Sequence, residues 1–410
     1  MVEASTAEQV IEVSGGSILS PAGFSAAGIH TKVKRKRKDL GAIICDVPAS
    51  SAAVYTLNKI QAAPLQVTKE SIAKEGKLRA IVVNSGNANS CTGKQGLEDA
   101  YTMRKNSAEK FGLPEHQVAV TSTGVIGEAM PMDKINEGIA NLEPETGFER
   151  AQDFNEAIMT TDVAGKHACF QTWVDNKAVF IGGVAKGSGM IHPNMATMLG
   201  FVTTDAAIEP AHLQTALSEI TNKTFNRITI DGDTSTNDMV VVMASGKAEN
   251  SPLHPGHPDW NAFVTGLKET CESLSKKIAR DGEGATKLIE VKVEGAATDE
   301  EAGQAAKQIV GSDLVKTAVY GTDANWGRVI VALGYSEVEL DPDTVDISVG
   351  PVETLKASTP VHFSEEDAKA YLENDTVEIT VNLHVGNGSG KAWGCDLTYD
   401  YVRINAGYRT

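Results

Sequence analysis

The sequence predicts an α/β protein with strands and helices intermixed in layers. Three observations carry this. Short apolar runs recur at residues 42–45, 80–83, 118–120, 179–184 and 240–244, the signature of buried strands. Segments of helical period lie between them. Thirty-eight glycines against only 5% aromatic residues imply many tight turns and close backbone approaches. The 410 residues exceed what one hydrophobic core serves, so two core regions are expected. Apolar residues make up 41% of the chain, enough to fill both.

Taken in order, the first feature is a basic run: Lys32, Lys34, Arg35, Lys36, Arg37 and Lys38. It precedes the apolar run 42–45, so a solvated strand edge is the plain reading; an anion patch is the functional one. Residues 97–111 form a helix candidate. In 210–222, Leu213, Ala216, Leu217 and Ile220 fall at i, i+3, i+4 and i+7, and Pro210 suits a first turn. In 259–279, Phe263, Leu267, Leu274 and Ile278 line one face, and Asp259 suits the N-cap. Residues 251–258 (SPLHPGHP) make the clearest linker-like break. Alternation at Ile289, Val291, Val293 and at Ile379, Val381, Leu383 predicts strands with one wet face.

Composition excludes several classes. A net charge of −17 repels phosphate backbones, so nucleic acid is not an expected partner. No run of 18 apolar residues exists, so no membrane span is expected. Residues 1–14 carry Glu3, Glu8 and Glu12 and do not read as a secretory signal. The five cysteines, Cys45, Cys91, Cys169, Cys271 and Cys395, form no CxxC pair. Their odd number and wide spacing predict reduced thiols in a cytoplasmic protein. Residues 386–391 (GNGSGK) end like a phosphate loop, but Val385 and Ala392 break the pattern. Residues 231–238 (DGDTSTND) begin like a calcium loop, but Thr236 and Val242 stand where Gly and Glu are required. His254 and His257 have no third ligand nearby in the sequence. No metal and no resident cofactor are therefore expected.

The unusual segment is 186–205, KGSGMIHPNMATMLGFVTTD. It follows the apolar run 179–184 and is rich in small residues and methionine. A glycine-rich loop entering a buried element would account for it, since methionines fill core gaps. Its residues resemble, however, the signature of the ornithine acetyltransferase family, the bifunctional glutamate N-acetyltransferases/ornithine acetyltransferases. Similar in the same order are 84–93 (NSGNANSCTG), 121–132 (TSTGVIGEAMPM), 160–167 (TTDVAGKH), 225–238 (FNRITIDGDTSTND), 280–287 (RDGEGATK), 315–328 (VKTAVYGTDANWGR) and 391–410 (KAWGCDLTYDYVRINAGYRT). These motifs span essentially the whole chain. One departure is Gly407, where the family commonly has an acidic residue.

The resemblance implies an αββα sandwich of the self-cleaving, N-terminal-nucleophile kind, plus a smaller C-terminal α/β region. It implies cleavage between Ala196 and Thr197, giving an α chain of 1–196 and a β chain of 197–410, and a heterotetramer of two α and two β chains. It implies acetyl transfer from N2-acetyl-L-ornithine to L-glutamate through an acetyl-threonine intermediate. Thr197 would be the nucleophile, and Thr123 and Gly124 the oxyanion hole. Thr160, Lys186, Thr197, Glu283, Asn405 and Thr410 would bind substrate. Some family members also take acetyl-CoA as donor; no phosphate-binding motif in the sequence decides this, and 32–38 is one candidate surface.

The residue chemistry agrees. A threonine hydroxyl can attack the carbonyl before it, and hydrolysis of the resulting ester frees a new N-terminus. The new α-amine has a pKa of about 7.7–8.0, so it can serve as base for the adjacent hydroxyl. No His–Asp pair is then needed. Glycine lets a backbone N–H come close to a developing oxyanion; a turn after the run 118–120 is the plain alternative for 123–124. Lys186 would meet the substrate carboxylate, although most lysines are solvated. Glu283, between Gly282 and Gly284, would take an ammonium or simply form a turn. The enzyme rival is a self-cleaving aminopeptidase or amidase, marked by acetate release without glutamate. The non-enzyme rival is a metabolite-binding protein that stays intact.

Overall fold

The structure, a computed structural model, describes residues 10–192 and 198–407. Ala196, Thr197 and Thr410 lie outside the described residues. In chain order the strands are β1 (Ile11–Glu12), β2 (Phe24–Ile29), β3 (Leu40–Tyr55), β4 (Lys77–Asn87), β5 (Val118–Val125), β6 (Lys166–Val174), β7 (Lys177–Lys186), β8 (Leu199–Thr204), β9 (Ile228–Thr229), β10 (Met239–Ala244), β11 (Leu288–Ala296), β12 (Asp346–Val349), β13 (Val352–Lys356), β14 (Thr359–Pro360), β15 (Thr376–Asn382) and β16 (Gly388–Cys395). They form two sheets, each with its own helices, the components that the layered α/β expectation requires.

The chain divides into two units. The first draws on Met1–Gly187, Asn194–Asn222 and Thr234–Leu274. Its sheet runs β1-β6-β7-β8-β10-β3-β4-β5, with β2 paired to β3. Every apolar run predicted up to residue 244 lies in this sheet. β8 is buried along its whole length and lies antiparallel to β7 and parallel to β10. Phe154 and Phe201, both fully buried, meet edge to face with centroids 5.5 Å apart, the arrangement aromatic quadrupoles favour. The helix Phe148–Ile158 presses so closely on β2 that a Cβ at Gly28 would lie 2.0 Å from the Asp153 carbonyl oxygen. The predicted helices appear as Gly93–Phe111, Pro210–Lys223 and Trp260–Arg280.

The second unit draws on Ser188–Pro193, Lys223–Asp233 and Ser275–Thr410. Its sheet runs β14-β13-β12-β15-β11-β16-β9. β15 alternates buried and half-buried residues as the sequence predicts. β11 departs from that pattern at Glu290, which is buried because Lys391 and the Trp393 indole N–H both donate to it, at 2.5 and 2.7 Å. The helix Asp299–Val310 is capped by Thr298, whose hydroxyl accepts from the Glu301 N–H.

Two sequence readings are corrected here. Residues 251–258 are not a linker between domains. They lie inside the first unit, where Leu253 is fully buried and Ser251 and His257 bond each other at 2.9 Å. Proline and glycine break regular structure there, but the side chains still pack. Residues 123–124 are not a turn either, because β5 continues through Val125.

Glycine positions give a direct test. Gly28→Ala forces a methyl into backbone and is expected to cost about 1–3 kcal/mol. Gly334 ends the helix Trp326–Gly334 with nothing near its Cβ direction. Gly334→Ala is expected to be neutral or to stabilise by up to about 1 kcal/mol. Urea unfolding should show a lowered midpoint for Gly28→Ala and an unchanged or raised one for Gly334→Ala.

Candidate active site

Lys186 ends β7 and is opposite Leu199, the first residue of β8. On its other side Leu199 is opposite Met239, the first residue of β10. The Met239 N–H donates to the Met198 carbonyl at 3.0 Å. The start of β8 is therefore flanked by Lys186 and by the end of the segment 234–238. The sheet brings these together because β8 is central and its neighbours begin or end at the same level.

Lys186 is only 8% exposed. Among the described residues its ammonium makes no hydrogen bond or ion pair. Its electrostatic partners are two buried carboxylates, Asp162 and Asp238. Asp162 is fully buried. One oxygen accepts from the Lys166 ammonium at 2.6 Å and the Gly187 N–H at 2.7 Å; the other accepts from the Thr160 N–H at 2.9 Å. Burial pushes its carboxyl pKa up, but the Lys186 and Lys166 charges and these hydrogen bonds outweigh burial and hold it well below the usual range. Asp162 thereby fixes Thr160 and the end of β7 to one point.

Asp238 has the opposite fate. It is 4% exposed, and among the described residues its Oδ2 has no hydrogen-bond partner. Burial pushes its carboxyl well above the usual range, against the pull of Lys186 and of Ser235. Neighbouring Asn237 donates through its amide to the carbonyls of Ala88 and Ser122, the latter at 2.8 Å. That amide ties the segment beside Lys186 to the residue preceding Thr123. Thr123 is 8% exposed and opposite Ser85, while Gly124 is opposite Gly86. Gly124 has φ +133°, and a Cβ there would lie 2.3 Å from the Gly86 carbonyl carbon. The sequence motif thus specifies glycine for a close backbone approach. Within the first unit, Thr160 and the end of β7 meet at Asp162, while Thr123 and Gly124 follow Ser122, the residue that Asn237 holds.

The second unit holds Glu283 and Asn405. Glu283 is 7% exposed. Its N–H donates to the Ser188 carbonyl at 2.9 Å, and its Oε2 accepts from the Asn405 amide at 2.8 Å. A Cβ at Gly189 would lie 2.5 Å from the Glu283 carboxyl carbon, which explains the glycine. Asp231 accepts from the Met190 and Ile191 N–H groups at 2.6 and 2.7 Å. Asn405 sits on the helix Tyr399–Ala406.

The basic run is sorted by the structure. Lys34 donates to the Met159 carbonyl at 2.8 Å, and Arg37 to the Asp162 carbonyl at 2.7 Å. Lys38 pairs with Asp153. Lys32, Arg35 and Lys36 stay exposed. Half of the run is therefore only partly exposed, and Lys34 and Arg37 brace the residues on either side of Thr160. Burial lowers the Lys34 pKa to about 8. Sequence reasoning missed Asp162, Asn237 and Asp238, although each lies in a motif it quoted.

Among the described residues the buried Lys186 ammonium makes no hydrogen bond or ion pair, and the close backbone approach at Gly124 is one that glycine permits. The class is a small-molecule enzyme on a mixed α/β scaffold. The chain belongs to the ArgJ family, whose model matches residues 25–410. It is 71% identical over 402 residues to the arginine biosynthesis bifunctional protein ArgJ of Halalkalibacterium halodurans, covering 98% of each chain. The protein of the same name from Geobacillus kaustophilus is 63% identical, again with 98% of each covered. The crystal structure of arginine biosynthesis bifunctional protein argJ from Bacillus halodurans matches with 72% identity and a TM-score of 0.50, over 51% of this chain and 98% of that one.

The Asp162 node yields a stability prediction. Its folded pKa lies below the unfolded value of about 3.9, so its stabilisation is present above that pH and is lost as pH falls through the folded value. Asp162→Asn leaves two buried ammoniums without their carboxylate and is expected to cost about 3–5 kcal/mol at pH 7. Urea titrations from pH 7 to pH 3 should show the variant gap narrowing below about pH 4.

Proposed function

We propose that this chain cuts itself between Ala196 and Thr197 and then moves acetyl from N2-acetyl-L-ornithine to L-glutamate through an acetyl-Thr197 intermediate. Membership of the ArgJ family makes it an enzyme of arginine biosynthesis. The observation that carries the mechanism is the strand register around Leu199. Lys186 flanks the start of β8, two residues beyond the proposed nucleophile.

Each residue then has a task. Thr197 attacks the acetyl carbonyl, its own α-amine taking the proton. The Thr123–Gly124 segment stabilises the oxyanion; losing one such donor costs about 2.7–4 kcal/mol of barrier. Lys186 holds the substrate α-carboxylate, and Thr160 is positioned beside it through Asp162. Glu283, paired with Asn405, meets a substrate ammonium, and Thr410 completes the binding set. Ornithine leaves and glutamate takes the acetyl group. Acetyl-CoA is the second acetyl donor, in keeping with the word bifunctional in the relatives' names. No resident cofactor or metal takes part. The 1–196 and 197–410 chains assemble as a heterotetramer of two α and two β chains in the cytoplasm. Among the described residues no helix is long and apolar enough to cross a membrane.

Thr197→Ala is expected to abolish both cleavage and transfer, read on a denaturing gel and by glutamate-dependent ornithine release. Full turnover by an uncleaved Thr197→Ala protein would sink the mechanism. Acetate release without glutamate would replace the transferase by an amidase.

A further inference from the structure

Asp238 has no task in the mechanism above, yet its placement is costly. A buried polar atom without a partner forfeits about 1–3 kcal/mol, more for a charged group. Asp238 Oδ2 is such an atom. It belongs to a residue that is 4% exposed and is coupled electrostatically to Lys186, which is 8% exposed and whose ammonium makes no hydrogen bond or ion pair among the described residues. The two attract one another, but no ion pair of 4.0 Å or less joins them. A buried ammonium and a buried carboxyl, held apart, match a ligand that carries an anion and a hydrogen-bond donor close together. An α-amino acid does so, since its carboxylate and its α-nitrogen sit on one carbon.

We propose that Asp238 receives the substrate's α-nitrogen while Lys186 holds the α-carboxylate. This rests on the acetyl-transfer reading given above and adds a residue to it. The α-nitrogen is the atom that gains or loses the acetyl group, so its partner also handles its proton. Glutamate enters as an α-ammonium and gives one proton to the Asp238 carboxylate. The neutral amine attacks the acetyl carbonyl carbon of acetyl-Thr197. The C–N bond forms and the ester C–O bond breaks. The second nitrogen proton passes to the Thr197 oxygen, regenerating the hydroxyl. In the donor half-reaction the Thr197 oxygen bonds the acetyl carbon and the C–N bond of N-acetylornithine breaks. The leaving nitrogen takes the Thr197 hydroxyl proton and the proton stored on Asp238, and ornithine departs as an α-ammonium. One proton is borrowed and returned per cycle. Burial raises the affinity of the Asp238 carboxyl for a proton, the direction that favours holding one between the two half-reactions.

The backbone around Asp238 supports a fixed orientation. Its carbonyl accepts from Thr56 at 3.0 Å, and the preceding carbonyls of Ser235 and Thr236 accept from Thr56 Oγ1 and the Ala62 N–H, both at 2.9 Å. The Asn237 amide adds its two bonds. The backbone that carries Asp238 is thereby held in place, while among the described residues its Oδ2 has no hydrogen-bond partner.

The test compares L-glutamate with glutarate, the same molecule without its α-nitrogen, by calorimetric titration of the purified enzyme. Wild type is expected to bind glutamate at least tenfold more tightly than glutarate. Asp238→Asn should weaken glutamate at least tenfold and leave glutarate within twofold. Asp238→Glu keeps the carboxylate and should keep the preference, so it carries the test if the amide variant does not fold. Equal loss of both ligands in Asp238→Asn would make Asp238 a structural residue and overturn the proposal, as would no change in either. Wild type that binds neither ligand would instead fail the acetyl-transfer reading itself.

Discussion

The burial of four charges around the ends of β6, β7 and β10 is the constraint on which the first unit's site depends. Asp162 and Lys166 form a direct ion pair at 2.6 Å with almost no solvent contact. Taking such ions out of water costs several kcal/mol each, recovered only when their remaining hydrogen-bonding capacity is met. Asp162 meets it with two backbone N–H groups as well as the ammonium. Within the described residues the Lys186 ammonium and Asp238 Oδ2 have no such partner. The two carboxylates thus differ in how their hydrogen-bonding capacity is met, and the proposed substrate site uses the one left unmet.

Topology explains why these residues converge. β7, β8 and β10 are adjacent, and β8 is the strand both partners share. The segment 234–238 then reaches across to Ser122 at the far side of the sheet through the Asn237 amide. Gly124 and Gly86 allow β4 and β5 to approach closely at that point. In the second unit the same economy applies on a smaller scale. Gly189 leaves just enough room for Glu283, which the Asn405 amide then orients.

Much of the fold was legible in the sequence because its signals are local. The apolar runs 179–184 and 240–244 are buried strands, and Pro210 opens its helix as read. The capping pattern Thr298-x-x-Glu301 also announces the helix Asp299–Val310, a signal present in the sequence but unread there. The site was legible only through resemblance. Asp162 has local partners in Lys166 and the Thr160 N–H, but the Gly187 N–H and the Lys186 charge that complete its surroundings, and the burial that sets Asp238 apart, come from distant parts of the chain. Lys34 and Arg37 read as solvated for the same reason: their carbonyl partners, Met159 and Asp162, lie about 125 residues away. The continuation of β5 through Gly124 was hidden because glycine signals a turn locally, whereas here it serves a close strand contact.

The account turns on Thr197 becoming a new N-terminus. The most direct measurement is the intact mass of the purified protein under denaturing conditions. Two species corresponding to 1–196 and 197–410, summing to the full chain plus one water, are the predicted result. A single species of 43.4 kDa would contradict it.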